Sequence, residues 1–173
     1  MASPPSLLDD DGTASLATPL MMSHHGFRRD LARFEAALED VARGVVTRVD
    51  TLREEWGRFG ATLHGHHHSE DTGVFPSILQ QRPALSWVVA HLQADHRLID
   101  PLVERGTAAF AQLPDVAAAL ALVRELRALL GPHLEVEERE LIPHLRAHKT
   151  FPPLPDEALA LYAEGFAWAM HGI

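Results

Sequence analysis

Apolar residues recur in alternating steps of three and four along most of the chain. The first run reads His24, Phe27, Leu31, Phe34, Leu38, Val41, Val45, the core-facing stripe of an amphipathic helix. A second reads Leu52, Trp56, Phe59, Leu63, His66, Glu70, Val74, and a third Leu85, Leu92, His96, Ile99, Val103. The fourth is Val123, Leu126, Leu130, His133, Glu137, followed by Glu140 or Leu141. Arg43-Gly44, Arg82-Pro83 and Leu113-Pro114-Asp115 interrupt these runs with the residues that end helices, and Thr18-Pro19 offers a cap with proline at the first helical position. The pattern predicts four helices over about 19–43, 47–80, 84–111 and 115–147. Short links place successive helices antiparallel, so the expected fold is all-α, an up-down-up-down four-helix bundle.

Beyond the bundle, residues 1–18 are rich in Pro, Ser, Asp and small residues, and read as a disordered N-terminal tail. Residues 148–173 hold a Pro-rich link and an additional C-terminal helix over about 156–171, with Leu159, Tyr162, Phe166 and Trp168 available for packing. No second domain and no long internal repeat is expected.

Composition narrows the chemistry. The chain has no cysteine, which excludes disulfides, thiolate zinc sites and cysteine-bound clusters. A formal net charge of −9 argues against a nucleic-acid partner, whose phosphates need clustered Lys and Arg. The sequence contains no apolar run long enough to cross a membrane and no secretory signal, so the expected address is cytoplasmic, with no membrane partner. Twelve histidines in 173 residues is a high count, and position decides what it means.

Histidine and glutamate interrupt the stripes where leucine belongs. His66-x-x-x-Glu70 and His133-x-x-x-Glu137 share one spacing, which sets both side chains on one helix face about a turn apart. Buried without partners, such groups cost several kcal/mol each, on the order of a domain's net stability. A cation that neutralises the carboxylates and accepts imidazole lone pairs removes that cost. His24 and His66 lie equally far along the chain from the first break, and Glu70, His96 and His133 match across the later breaks to within roughly 3 Å at the helical rise. His24, His66, Glu70, His96, His133 and Glu137 are therefore the candidate metal ligands.

The other histidines read differently. His25 falls on a wetter face, and His64, His68, His91, His144, His148 and His171 lie off the stripe or off the layer. His67 with Asp71 has the same i, i+4 spacing but stands one step round the helix, an alternative or a supplement to His66 and Glu70. The competing account of the six is a set of polar core groups that satisfy one another by hydrogen bonds.

The segments HHHSEDTGVFP and HLEVEERELIP, with HHGFRRDL and ADHRLIDPL, resemble the motifs of the hemerythrin-like, or HHE cation-binding, domain family over residues 19–147. The resemblance implies a four-helix bundle with a non-haem di-iron centre, two Fe ions with a bridging oxo or hydroxo group. His24, His66, His96 and His133 would be terminal ligands, and Glu70 and Glu137 bridges. On chemistry alone Zn or Mn can substitute. The implied ligand is O2, NO or peroxide, with the protein as sensor or redox protein and weak peroxide or NO processing as its enzymatic form. Four imidazoles, where oxygen carriers of the family use five, argue against reversible oxygen carriage. An iron store or iron sensor without turnover, and a mononuclear or zinc-stabilised interaction module, are the alternatives.

Overall fold

The computed structural model describes residues 7–147. Its helices are α1 (Ala17–Ala42), α2 (Asp50–Ser69), α3 (Phe75–Gln81), α4 (Ser86–Ala111), α5 (Ala117–Glu140) and α6 (Ile142–Leu145). A π-helical turn, Glu70–Val74, joins α2 to α3, and no strand occurs among the described residues. The fold is all-α, as expected. The C-terminal helix read from the sequence lies outside the described residues.

The chain divides into two compact units: Phe27–His133, and the segments up to Gly26 and from Leu134. Helices α1 and α5 contribute to both.

In the Phe27–His133 unit four helical segments pack antiparallel around one core. Phe34 of α1 meets Trp56 of α2 and Phe110 of α4 edge-on, with ring centroids 5.4 Å and 5.5 Å away. Trp56 stacks on Phe110 at 4.5 Å. Aromatic pairs of this kind each contribute about 0.5–1.5 kcal/mol beyond the area they bury. The stack requires Gly106, since a Cβ there would lie 2.0 Å from Trp56 Cζ2. Arg53, near the start of α2, donates to the carbonyls of Phe110 and Leu113 and so ties α2 to the end of α4. Arg124 of α5 reaches Glu35 and Glu39 of α1 on the surface.

The helix ends follow local chemistry. Gly44, at φ +72°, closes α1 in a Schellman turn, with its N–H on Val41 O and that of Val45 on Asp40 O. Arg82 is extended ahead of Pro83, which ends α3. The expected fourth helix to residue 147 is broken: α5 stops at Glu140 and α6 follows from Ile142. Pro143 lacks the N–H that would continue the ladder. Pro101 and Pro132, by contrast, sit inside α4 and α5 on exposed positions, where a freed carbonyl can turn to water.

The smaller unit begins earlier than the sequence pattern suggests. α1 starts at Ala17 rather than Pro19, and the Ser15 N–H donates to Thr18 Oγ1 in the manner of a capping box. Leu7 to Leu16, read from the sequence as part of a tail, form turns here. Thr18 donates to Leu7 O, and Arg146 holds Leu8 O and the Asp9 carboxylate. Leu20, Met21, Leu134, Leu141 and Leu145 are buried in this unit.

Candidate metal centre

Within Phe27–His133 the end of α2, the π-turn, α4 and α5 bring five polar side chains into the core. His66, His67, Glu70, His96 and His133 are all at most 8% exposed. His66 Nε2 lies 3.2 Å from one Glu70 oxygen and His96 Nε2 lies 3.5 Å from the other. His67 stacks on His96 with centroids 4.0 Å apart, and His96 meets His133 edge-on at 4.9 Å. One ring nitrogen each from His67, His96 and His133 fall within 4.8 Å of one another. Phe27 and Phe75 wall the group, against His66 and His96 respectively.

The π-turn explains one difference from the sequence pattern. The α-helical stripe continues from Glu70 to Val74, but Phe75 is the buried residue and Val74 is only half-buried. The Phe75 N–H donates to Glu70 O, a step of five that inserts one residue and moves the core face along by one. Glu70 thus enters the core at the point where the helix changes phase.

Each ring of the triad has an aspartate on its outer side. Asp100 lies 2.6 Å from His67 Nδ1, Asp71 3.2 Å from His96 Nδ1 and Asp95 3.4 Å from His133 Nδ1. A carboxylate on Nδ1 fixes the proton there and leaves the Nε2 lone pair for the interior. His67 Nε2 is buried and has no hydrogen-bond partner among the described residues. Burial alone would raise the pKa of Asp100. The hydrogen bond from His67 outweighs it and holds the carboxyl below its usual range.

The smaller unit places His24 between two acids. Its Nε2 lies 3.2 Å from Glu137 and its Nδ1 3.0 Å from Glu138, with His24 and Glu137 fully buried. Burial pulls the imidazole pKa down, but hydrogen bonds to Glu137 and Glu138 and their charges prevail and raise it. A ring that faces a carboxylate on each nitrogen carries a proton on both. A cation beside Nε2 can take the place of one.

All six residues singled out by the sequence are buried, and His25 is exposed. The structure brings His66, Glu70 and His96 together in one unit and His24 with Glu137 in the other. His67 is the side chain that the stripe rule kept only as an alternative or supplement. It is 1% exposed, because neighbouring residues stand about 100° apart and a bundle helix buries a face at least that wide. Asp71, read from the sequence as a companion of His67, faces His96 instead, and the outer acids Asp95, Asp100 and Glu138 were not anticipated. Three of these four acids adjoin an inward residue in sequence, as Glu70-Asp71, Asp95-His96 and Glu137-Glu138, and that doubling is the available signal.

The donor set fits a divalent metal. Imidazoles with fixed tautomers and buried carboxylates are the ligands that iron, manganese and zinc accept. An all-helical fold with such a cluster in its core defines a metal-binding helical protein. The chain belongs to the family described as Hemerythrin HHE cation binding domain, whose model matches residues 16–145. Comparison with curated proteins and with solved structures gives no match.

Proposed function

We propose that this chain holds a two-metal centre, iron in the manner of its family, and meets O2, NO or peroxide there as a sensor or redox protein. His24, His66, His96 and His133 serve as terminal ligands and Glu70 and Glu137 as bridges, with His67 added to the sequence-derived set. Support comes from the equal heights of these residues along their helices and from family membership across the whole stretch that carries them. The observation that carries the reading is the buried triad with Nδ1 of every ring on an aspartate and Nε2 of His67 left for a ligand bond. A hydrogen-bonded polar network, the competing account, gives that nitrogen no partner.

Burial also bears on the substrate class. Groups at most 8% exposed admit a diatomic molecule or peroxide more readily than an organic substrate, which needs a formed pocket. Iron at such a site supplies redox chemistry and an exchangeable coordination position. With His67 counted there are five imidazoles, so the argument against oxygen carriage from a count of four no longer applies.

Elemental analysis with an optical spectrum, on protein purified without added metal, tests the reading. Two irons per chain with oxo-bridge absorption support it. One zinc and no colour support the zinc-stabilised interaction module instead. Bands that respond to NO or peroxide distinguish a sensor or redox protein from an iron store.

A further inference from the structure

We propose that Asp71, Asp95 and Asp100 are positioning residues that tune the centre: acting through the outer nitrogens of His96, His133 and His67, they favour the higher oxidation state of bound iron. This rests on the metal-centre reading above and deepens it. A centre biased in that way suits redox chemistry better than reversible oxygen carriage, in which the metals must recover the electrons they lend.

The fold builds these contacts one by one within the Phe27–His133 unit. Asp100 of α4 faces His67 of α2 at 2.6 Å, and Asp95 of α4 faces His133 of α5 at 3.4 Å. Asp71 of the π-turn faces His96 of α4 at 3.2 Å. No acid sits on the helix that carries its ring, so none of the three pairs follows from spacing along one helix. Each acid also reaches water where its ring does not. Asp100, Asp71 and Asp95 keep 33%, 37% and 24% of their side chains exposed, while His67, His96 and His133 keep at most 3%.

A neutral acceptor on Nδ1 would fix the tautomer as well as a carboxylate does. What a carboxylate adds is negative charge. A ring whose Nδ1–H donates to it becomes a more basic ligand through Nε2. Such a ligand stabilises Fe(III), with its extra positive charge, more than Fe(II), and the reduction potential falls. The three rings offer nitrogens within 4.8 Å of one another, so the three acids act on one centre.

Spectroelectrochemical titration of the iron-loaded full-length chain reads the effect. Asp100→Asn, Asp71→Asn and Asp95→Asn each remove a charge but keep a carbonyl oxygen to accept the Nδ1–H. Each should hold iron and raise the reduction potential, and Asp100→Glu should return it towards the parent's. Glu104→Gln removes an exposed acid one turn along α4 from Asp100 and should leave the potential unchanged. It separates the contact from overall charge. Helical circular dichroism equal to the parent's establishes the fold, and if one variant does not fold, the other two read the same contact on different rings. A parental or lower potential in the folded Asn variants, an equal rise in Glu104→Gln, or loss of iron from all three Asn variants would overturn the proposal while leaving the two-metal reading intact. A parent that takes up no iron would overturn both.

Discussion

At the scale of the residue, the account turns on single nitrogens and oxygens in the core. His67 and His25 give the sharpest contrast, because each neighbours a histidine that the apolar stripe points inward. His67 is buried beside Asp100 and His25 is exposed. We expect His67→Ala to lose metal about as severely as His66→Ala, and His25→Ala to keep the parent's stoichiometry, both read by elemental analysis. Glu137→Ala removes the buried partner of His24, and Glu70→Ala that of His66 and His96. Each should release metal, and each should lower stability in chemical denaturation by about 3–5 kcal/mol, the cost of leaving a buried partner unmatched. Retained stoichiometric metal in both glutamate variants would remove them from the ligand set. His24 also sets a pH dependence. Its folded pKa is raised, so in metal-free protein its contribution to stability is full below the ordinary value of about 6.5 and fades as pH rises through the raised one. Metal binding needs the ring without that proton. Uptake between those two values should therefore release a proton and strengthen as pH rises. Calorimetry at one pH, in buffers of different ionisation enthalpy, measures the release.

At the scale of the element, the sequence carried most of what the helices show. The stripes located α1, α2, α4 and α5, and the polar interruptions in them named His24, His66, Glu70, His96, His133 and Glu137, all of them buried. Three things escaped, for physical reasons. A stripe one residue wide cannot represent a helix that buries two neighbouring side chains, so His67 stood only as an alternative or supplement to His66. A period of 3.6 cannot register an inserted residue, so the π-turn after Ser69 shifted the core from Val74 to Phe75. The outer acids look like ordinary surface charge until a ring nitrogen is found beside each. Helix packing offers its own test at Gly106, which no periodicity marks as special. Gly106→Ala would drive a methyl group into Trp56, and overpacking of this kind costs about 1–3 kcal/mol. We expect that loss in urea unfolding with metal content unchanged, since Gly106 and Trp56 lie far along their helices from His96 and His66.

At the scale of the molecule, each unit has its own internal ties. Phe27–His133 has an aromatic core and a buried histidine triad; in the other unit His24 faces Glu137, and Arg146 and Thr18 hold the turns ahead of α1. No described helix is long and apolar enough to cross a membrane. What makes this chain more than a helical bundle is the claim that buried imidazoles and carboxylates are stable because they share metal ions. Anomalous X-ray scattering at the iron edge, from crystals of protein never given added metal, addresses that claim atom by atom. The account expects two peaks, each within bonding distance of Nε2 atoms from the named histidines and of Glu70 or Glu137. Crystals with no transition-metal peak among those side chains, or with the rings hydrogen-bonded only to one another, would contradict it.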